Sequence, residues 1–160
     1  MSNILLVEDD EIILDTYKTI LEIEGYTVFD TPDPYKALQI IQKQEIQLAI
    51  LDYNLPKMTG TQLGHLINKA QSNAEIIFIS GHPKIHEIVK EVDYEVYKVF
   101  SKPINIEEFV HSIKARIDSK ETLEVQDKKI KQVGIQQISK IISGINQNLP
   151  VIDIKLTIRT

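Results

Sequence analysis

Four stretches of the chain place residues that could do chemistry at the ends of short apolar runs. In chain order these residues are Glu8, Asp9 and Asp10 after "NILLV", Asp52 at the end of "QLAILD", Ser80 at the end of "EIIFIS", and Lys102 with Pro103 after "VYKVFS". Each of them alone is more often a helix cap or a surface charge. Their recurrence at the ends of successive apolar runs is what indicates a site.

The residue types in this set favour phosphoryl chemistry. Carboxylates that lie close together repel one another, so keeping them ionised requires a compensating cation. A hard cation such as Mg²⁺ suits them, with backbone carbonyls and waters completing its ligands. The metal and the Lys102 ammonium would both bind phosphate oxygens. A carboxylate can also act as a nucleophile and form an aspartyl phosphate, in a reaction that asks mainly for positioning and charge neutralisation.

The elements that must position these residues alternate between strand and helix. Five β-branched apolar runs are predicted as strands, at residues 3–7, 27–30, 47–51, 75–80 and 96–101. Stretches with helical spacing lie between them, and the pattern predicts an α/β fold with a doubly wound, five-stranded parallel sheet. Ligands of such sheets bind beyond the carboxyl ends of the strands. We therefore expect the acids, the hydroxyl and the ammonium to meet at one edge.

Three of the predicted helices have features that the structure can test. In the first, an apolar stripe of Ile12, Ile13, Tyr17, Ile20 and Leu21 runs up to a stop at Gly25. The fourth is predicted over residues 83–92. The fifth opens with Asn105 as its N-cap and has acids in its first turn.

Composition narrows the class of protein. The chain has 160 residues and a net charge of −5. It contains no Cys, and this absence excludes a disulfide framework and a thiol catalyst. Residues 1–117 carry a net charge of −7 and residues 118–160 one of +2. An acidic body disfavours a nucleic-acid partner. No run of eighteen apolar residues predicts a membrane span, the N-terminus does not resemble a signal peptide, and we expect a cytoplasmic protein.

The pattern changes beyond about residue 120. The segment 121–160 begins with helical spacing of apolar residues, and Gly134 and Gly144 are expected to interrupt or weaken that helix. Residues 151–159 then alternate between apolar and polar, which is typical of a half-buried strand. A helix over residues 105–148 would be roughly 65 Å long at 1.5 Å per residue. Because its apolar stripe needs a partner, we expect this C-terminal extension to form a homodimer or a small output module.

The motifs resemble those of a known family. The segments "ILLVEDDE", "LAILDYNLPKMTG", "IIFISGH" and "VFSKP" are similar to the signature segments of the receiver domain of two-component response regulators. The resemblance covers residues 1–120 and implies a flavodoxin-like (βα)5 fold with strand order 2-1-3-4-5. It also implies a histidine kinase or phosphotransfer protein as phosphoryl donor and a protein target downstream. Such a domain catalyses its own phosphorylation and dephosphorylation but is not a turnover enzyme.

The resemblance implies a role for each residue of the site. By this likeness Asp52 is the phosphoacceptor, Ser80 is the switch hydroxyl, and Lys102 pairs with the acyl phosphate. Asp10 would bind Mg²⁺ directly and Asp9 through water, and Asn54 would offer its backbone carbonyl. The Lys102–Pro103 bond is expected to be cis, and His82 would shape access to the phosphoryl group.

One departure from the family pattern affects the expected output. Receivers usually carry Tyr or Phe three residues before the lysine, and Val99 stands there in this chain. Strand alternation places Phe100 on the opposite face from Val99, so neither residue corresponds to the usual rotating aromatic. Val99 belongs to the surface of the fourth helix, fifth strand and fifth helix, which receivers generally use for output and which is a second candidate surface for homodimerisation.

Two alternative functions differ in what they require of the sequence. A truncated or atypical DNA-binding transcriptional regulator would need a basic recognition helix, and the extension has neither that pattern nor many basic residues. A haloacid-dehalogenase-like phosphatase would need a second acid two residues after its nucleophile. Asn54 occupies that position, so a general acid for turnover is missing.

Overall fold

The computed structural model describes residues 2–148, with no side-chain description at 141, 142 and 144–148. Five parallel strands form one sheet in the order β2-β1-β3-β4-β5, and helices follow each strand. The strands are β1 (Asn3–Val7), β2 (Thr27–Thr31), β3 (Leu48–Asp52), β4 (Glu75–Ser80) and β5 (Lys98–Ser101). The helices are α1 (Glu11–Ile23), α2 (Pro34–Lys43), α3 (Gly60–Ala70), α4 (Ile85–Val89) and α5 (Ile106–Asn148). The predicted fold class and strand order are confirmed.

Helices cover both faces of the sheet, which explains why the central strands are apolar throughout. Successive side chains of a strand point to opposite faces. On one face Leu6 belongs to a buried cluster with Leu14 of α1 and Phe109 of α5. On the other, Leu5 is buried in a cluster with Leu63 of α3. Every residue of β3 is buried, as expected for a strand covered on both sides.

The register of the strands brings the expected site residues to one edge. Val7 pairs with Leu51, so that Glu8 and Asp52 follow at the same level of the sheet. Asp52 pairs with Ile79, which precedes Ser80, and Ser80 pairs with Ser101, which precedes Lys102. The predicted convergence is therefore a direct consequence of parallel pairing.

Two helix predictions need correction. The fourth helix has five residues, not ten, and residues 90–97 connect it to β5 without further helix. In α1 the side chain of Ile12 is 80% exposed, and the buried stripe consists of Leu14, Tyr17 and Leu21. With 3.6 residues per turn, Ile12 lies about 200° around the helix from the buried Leu14, and its side chain therefore points to solvent.

The chain divides into two compact units, residues 1–117 and 118–160. The first contains the sheet and its helices. In the second, the described residues 118–148 are helical, and helix α5 continues through Gly134 and Gly144 without the expected interruption. Several large apolar side chains of this part are exposed: Leu123, Val125, Ile130, Val133, Ile135 and Ile138. The predicted strand at 151–159 lies outside the described residues.

Within residues 2–148, none of the helices combines the length and the apolar character that crossing a membrane requires.

Candidate functional site

The centre of the site is a buried ion cluster at the carboxyl edge of the sheet. Asp52, the last residue of β3, is 5% exposed, and Glu8 is 2% exposed directly after β1. The Lys102 ammonium donates hydrogen bonds to both, at 2.7 Å to Glu8 Oε2 and 3.0 Å to Asp52 Oδ2. One cation thus compensates two buried carboxylates.

Burial and pairing shift the pKa values of this cluster in directions that follow from the geometry. Burial raises the pKa of Glu8, the negative charge of Asp52 adds to this, and the Lys102 ammonium opposes it only in part. Burial alone would lower the pKa of Lys102, but its hydrogen bonds to Glu8 and Asp52 and their charges outweigh burial and raise it. Lys102 is therefore held firmly in its charged form.

Three carboxylates come close enough to share a divalent cation. One oxygen each of Glu8, Asp9 and Asp52 lies within 4.8 Å of the others, and among residues 2–148 this is the one such group of acidic, His or Cys side chains. Carboxylate oxygens are the ligands that Mg²⁺ prefers. The other Asp52 oxygen, Oδ1, accepts a 3.3 Å hydrogen bond from the Asn54 backbone N–H. The donor set therefore fits a hard cation next to Asp52.

Asp10 is not part of this group. Its carboxylate Oδ1 accepts hydrogen bonds from the backbone N–H groups of Ile12 at 3.0 Å and Ile13 at 3.1 Å, and so caps the N-terminus of α1. The third carboxylate of the group belongs to Glu8, for which the sequence indicated no role at the metal. The available signal was the helix start, because an Asp directly before a helix is a preferred N-cap.

Ser80 and His82 occupy the end of β4. Ser80 is fully buried, and its Oγ accepts a 3.0 Å hydrogen bond from the His82 backbone N–H. The His82 ring lies edge-on to the ring of Tyr53, the residue after Asp52, with centroids 5.1 Å apart. This ring pair bridges the ends of β3 and β4 beside the carboxylates.

The loop between β3 and α3 packs tightly against the backbone of Asp52. Gly60 donates its N–H to the Tyr53 carbonyl at 2.8 Å, and a Cβ at Gly60 would overlap the Asp52 carbonyl oxygen. Lys57, in this loop, has a φ of 71°, an uncommon backbone conformation for a residue other than Gly. Its ammonium pairs with Asp33 at 3.4 Å. Close packing thus requires glycine at the start of α3.

The remaining expectations concern β5. The Lys102–Pro103 bond is cis, as expected. Phe100 packs edge-on against Phe109 of α5 with ring centroids 5.5 Å apart. Val99 packs on the opposite face with the cluster that includes α3, so the predicted separation of these two side chains is confirmed. At the family's aromatic position the chain has an aliphatic side chain and no hydroxyl.

The parallel sheet of order β2-β1-β3-β4-β5, with acids and a lysine at its carboxyl edge, is a doubly wound α/β domain of the flavodoxin-like class. Residues 4–114 match the family described as the response regulator receiver domain, and the chain belongs to this family. It is therefore identified as a response regulator of the two-component type, a family of signalling proteins.

Similar proteins extend the same conclusion. The chain is 32% identical over 114 residues to the aerobic respiration control protein ArcA of Escherichia coli strain K12. The aligned region covers 71% of this chain and 47% of ArcA. It is 29% identical over 112 residues to the cell cycle transcriptional regulator CtrA of Caulobacter vibrioides strain NA1000 / CB15N, covering 70% of this chain and 48% of CtrA. The chain thus spans about half the length of these curated relatives.

Solved structures agree with the fold. A CheY-like receiver domain protein from Methanospirillum hungatei JF-1 is 31% identical with a TM-score of 0.71, over 76% of this chain and 98% of that one. The response regulator TrrA of Thermotoga maritima, in complex with Mg²⁺ and BeF, is 25% identical with a TM-score of 0.64, over 72% of this chain and 98% of that one. Receiver domains bind Mg²⁺ through an acidic pocket, and Glu8, Asp9 and Asp52 form such a pocket here.

Proposed function

We propose that this chain accepts a phosphoryl group on Asp52 and signals through the resulting conformational change. The observation that carries the proposal is the buried Asp52 carboxylate at the end of β3, with the Lys102 ammonium 3.0 Å from Oδ2 and two further acids beside it. A histidine kinase or a phosphotransfer protein would supply the group, and a downstream protein would receive the signal.

The transfer is a displacement at phosphorus. A carboxylate oxygen of Asp52 attacks the phosphohistidine of the donor, the new O–P bond forms, and the N–P bond breaks. The imidazole leaves with the electron pair and takes up a proton. Lys102 holds the carboxylate in place beforehand and then pairs with the phosphoryl oxygens. Burial of Asp52 keeps the nucleophile in one position.

The residues that would hold Mg²⁺ are Glu8, Asp9 and Asp52, together with the Asn54 backbone carbonyl. The family resemblance implied that Asp10 would bind the metal directly. Its carboxylate caps α1 instead, so Asp10 is not among the proposed ligands. When bound, Mg²⁺ neutralises charge on the carboxylates and on the phosphoryl oxygens.

Ser80 is the proposed switch residue. Its Oγ accepts from the His82 N–H in the unmodified chain, and its own hydroxyl hydrogen remains available to donate to a phosphoryl oxygen. A donor that turns toward the phosphoryl group favours one conformation of the β4–α4 loop over the other, which is a shift of a pre-existing equilibrium. The chain would be a switch and not a turnover enzyme.

Acetyl phosphate with Mg²⁺ tests the phosphoacceptor directly. Intact-mass measurement should detect one added phosphoryl group on the native chain and none on Asp52→Asn. Asp10→Asn is the matched control and should still be modified, because Asp10 lies beside the site but caps a helix. Equal modification of Asp52→Asn, or none of the native chain, would disprove the proposal. Turnover of a generic aryl phosphate would favour the phosphatase alternative.

A homodimer through residues 121–160 is the proposed role of the extension. Ile130 and Ile138 are among the apolar side chains exposed in the single chain, and a helix with such residues gains free energy when a second copy covers them. The mass in solution with and without residues 121–160 tests this. The DNA-binding alternative predicts instead salt-dependent binding to random duplex DNA.

A further inference from the structure

Residues 90–97, here called the strap, connect the short helix α4 to β5. The strap runs beside α3, and a cavity of about 620 Å³ lies between the two. Met58 and Leu66 line one side of this cavity and Val92 the other. The family's usual aromatic is absent from β5, but the strap carries an aromatic side chain of its own, Tyr94.

Tyr94 fits into a notch on α3 that exists because residue 64 is glycine. The Tyr94 hydroxyl donates a 2.8 Å hydrogen bond to the Thr61 carbonyl of α3. A Cβ at Gly64 would come within 2.5 Å of the same hydroxyl oxygen. Burial raises the pKa of the Tyr94 phenol, so the hydroxyl keeps the proton that it donates. A second tie joins His65 Nδ1 to Asp93 Oδ1 at 2.9 Å.

The Thr61 carbonyl that accepts from Tyr94 lies next to the contact between α3 and the Asp52 backbone. Gly60, the first residue of α3, packs on the Asp52 carbonyl, and Thr61 follows it directly. A movement of the Asp52 backbone that displaced Gly60 would therefore also move the carbonyl that accepts from Tyr94. Coupling between sites is carried by packed contacts that have two discrete arrangements, and the docked Tyr94 is the arrangement that the structure shows.

We propose that Tyr94 reports the state of Asp52: it is docked in the Gly64 notch in the unmodified chain and is released when Asp52 is phosphorylated. The direction follows from the geometry. The hydroxyl-to-carbonyl distance of 2.8 Å is already optimal, so a relative movement of α3 and the strap can only weaken this bond. Release opens the strap side of the cavity. The inference rests on the proposed phosphorylation of Asp52.

Hydrogen-exchange mass spectrometry on the full chain tests the strap. With acetyl phosphate and Mg²⁺, amides of residues 90–97 should exchange about fivefold faster than without, the factor expected for loss of one net hydrogen bond. Tyr94→Phe should show a similar acceleration without phosphorylation and little further change with it. Gly64→Ala, which places a methyl group at the hydroxyl, should behave like Tyr94→Phe.

Tyr97→Phe is the matched control. It also removes a hydroxyl bond from this part of the chain, but that bond goes to the Ser112 carbonyl on α5, at 3.2 Å. It should leave the response of the strap to phosphorylation intact. The intact mass of each sample separates the possible failures. The proposed role of Tyr94 is overturned, and the proposed phosphorylation of Asp52 stands, if Asp52 is modified and the exchange of residues 90–97 does not change. The same holds if Tyr94→Phe behaves like Tyr97→Phe. If no phosphoryl group is added, the proposed function fails with it.

Discussion

Replacing Lys102 with Met should destabilise the protein more than any exposed charge change. The Lys102 ammonium is the cation bonded to two carboxylates, and the side chains of Glu8 and Asp52 are only 3% and 6% exposed. Removing one partner of a buried ion pair leaves uncompensated charge in the interior. Such losses are about 3–5 kcal/mol.

The expected magnitude for Lys102→Met is about 3 kcal/mol at pH 7, because Lys102 is itself 21% exposed and water partly compensates the carboxylates. For a domain of this size, that corresponds to a loss of about 12 °C in Tm at about 4 °C per kcal/mol. The loss should shrink as the pH falls from 7 to 5. Without the ammonium, the pKa of Glu8 rises further, the folded state binds protons that the unfolded state does not, and folding is favoured at the lower pH.

Urea unfolding at pH 7 and pH 5 measures both quantities. Lys98→Met is the matched control, because Lys98 pairs with Glu108, whose side chain is 58% exposed; it should cost under about 1 kcal/mol. Adding Glu8→Gln to Lys102→Met should recover about 1–2 kcal/mol by removing one buried charge. A cost of Lys102→Met no greater than that of Lys98→Met, or one that is the same at both pH values, would show that Glu8 and Asp52 do not depend on Lys102 for charge compensation.

Four further substitutions test metal binding, loop packing and core packing separately. Asp10→Ala should cost about 1 kcal/mol of stability because an N-cap is lost, and the Mg²⁺ affinity measured by calorimetry should not change. Asp9→Asn should weaken Mg²⁺ binding at least about tenfold and have little effect on unfolding. The opposite result for the two variants would show that Asp10, and not Asp9, binds the metal. Gly60→Ala should cost about 1–3 kcal/mol in urea unfolding, because the added methyl group overlaps the Asp52 carbonyl, and an unchanged midpoint would contradict that packing. Phe109→Ala should cost about 3–5 kcal/mol, since the ring is fully buried against Tyr17 and Phe100; a loss below about 1 kcal/mol would contradict its place in the core.

The parallel sheet and the position of its site could be predicted from local patterns. β3 is buried along its whole length, so its sequence had to be apolar, and the single acid at its end stands out. Because parallel strands share one carboxyl edge, residues at strand ends far apart in the chain had to meet. Lys102 and Glu8 are 94 residues apart and form a 2.7 Å hydrogen bond.

The N-cap role of Asp10 and the short length of α4 could not be predicted from the sequence, because they depend on the exact residue at which a helix starts or ends. The acids Glu8, Asp9 and Asp10 are chemically alike, and only the start of α1 decides which of them becomes a cap. Ile12 is exposed because the face of α1 that packs on the sheet carries Leu14, Tyr17 and Leu21. Helix α4 ends at Val89 and the strap follows it, with Tyr94 docked on Gly64. The spacing of apolar residues along a helix does not reveal such a tertiary contact. Tertiary packing routinely overrides the local preference for helix.

Asp52 is the proposed carrier of the phosphoryl group. Borohydride reduces an acyl phosphate of aspartate to homoserine, and peptide mapping then locates the modified position. After treatment with acetyl phosphate and Mg²⁺, we expect homoserine at position 52 alone, and none when Mg²⁺ is removed with a chelator. Homoserine at position 9 or 10, or its absence from position 52 in the presence of Mg²⁺, would show that Asp52 is not the phosphoacceptor.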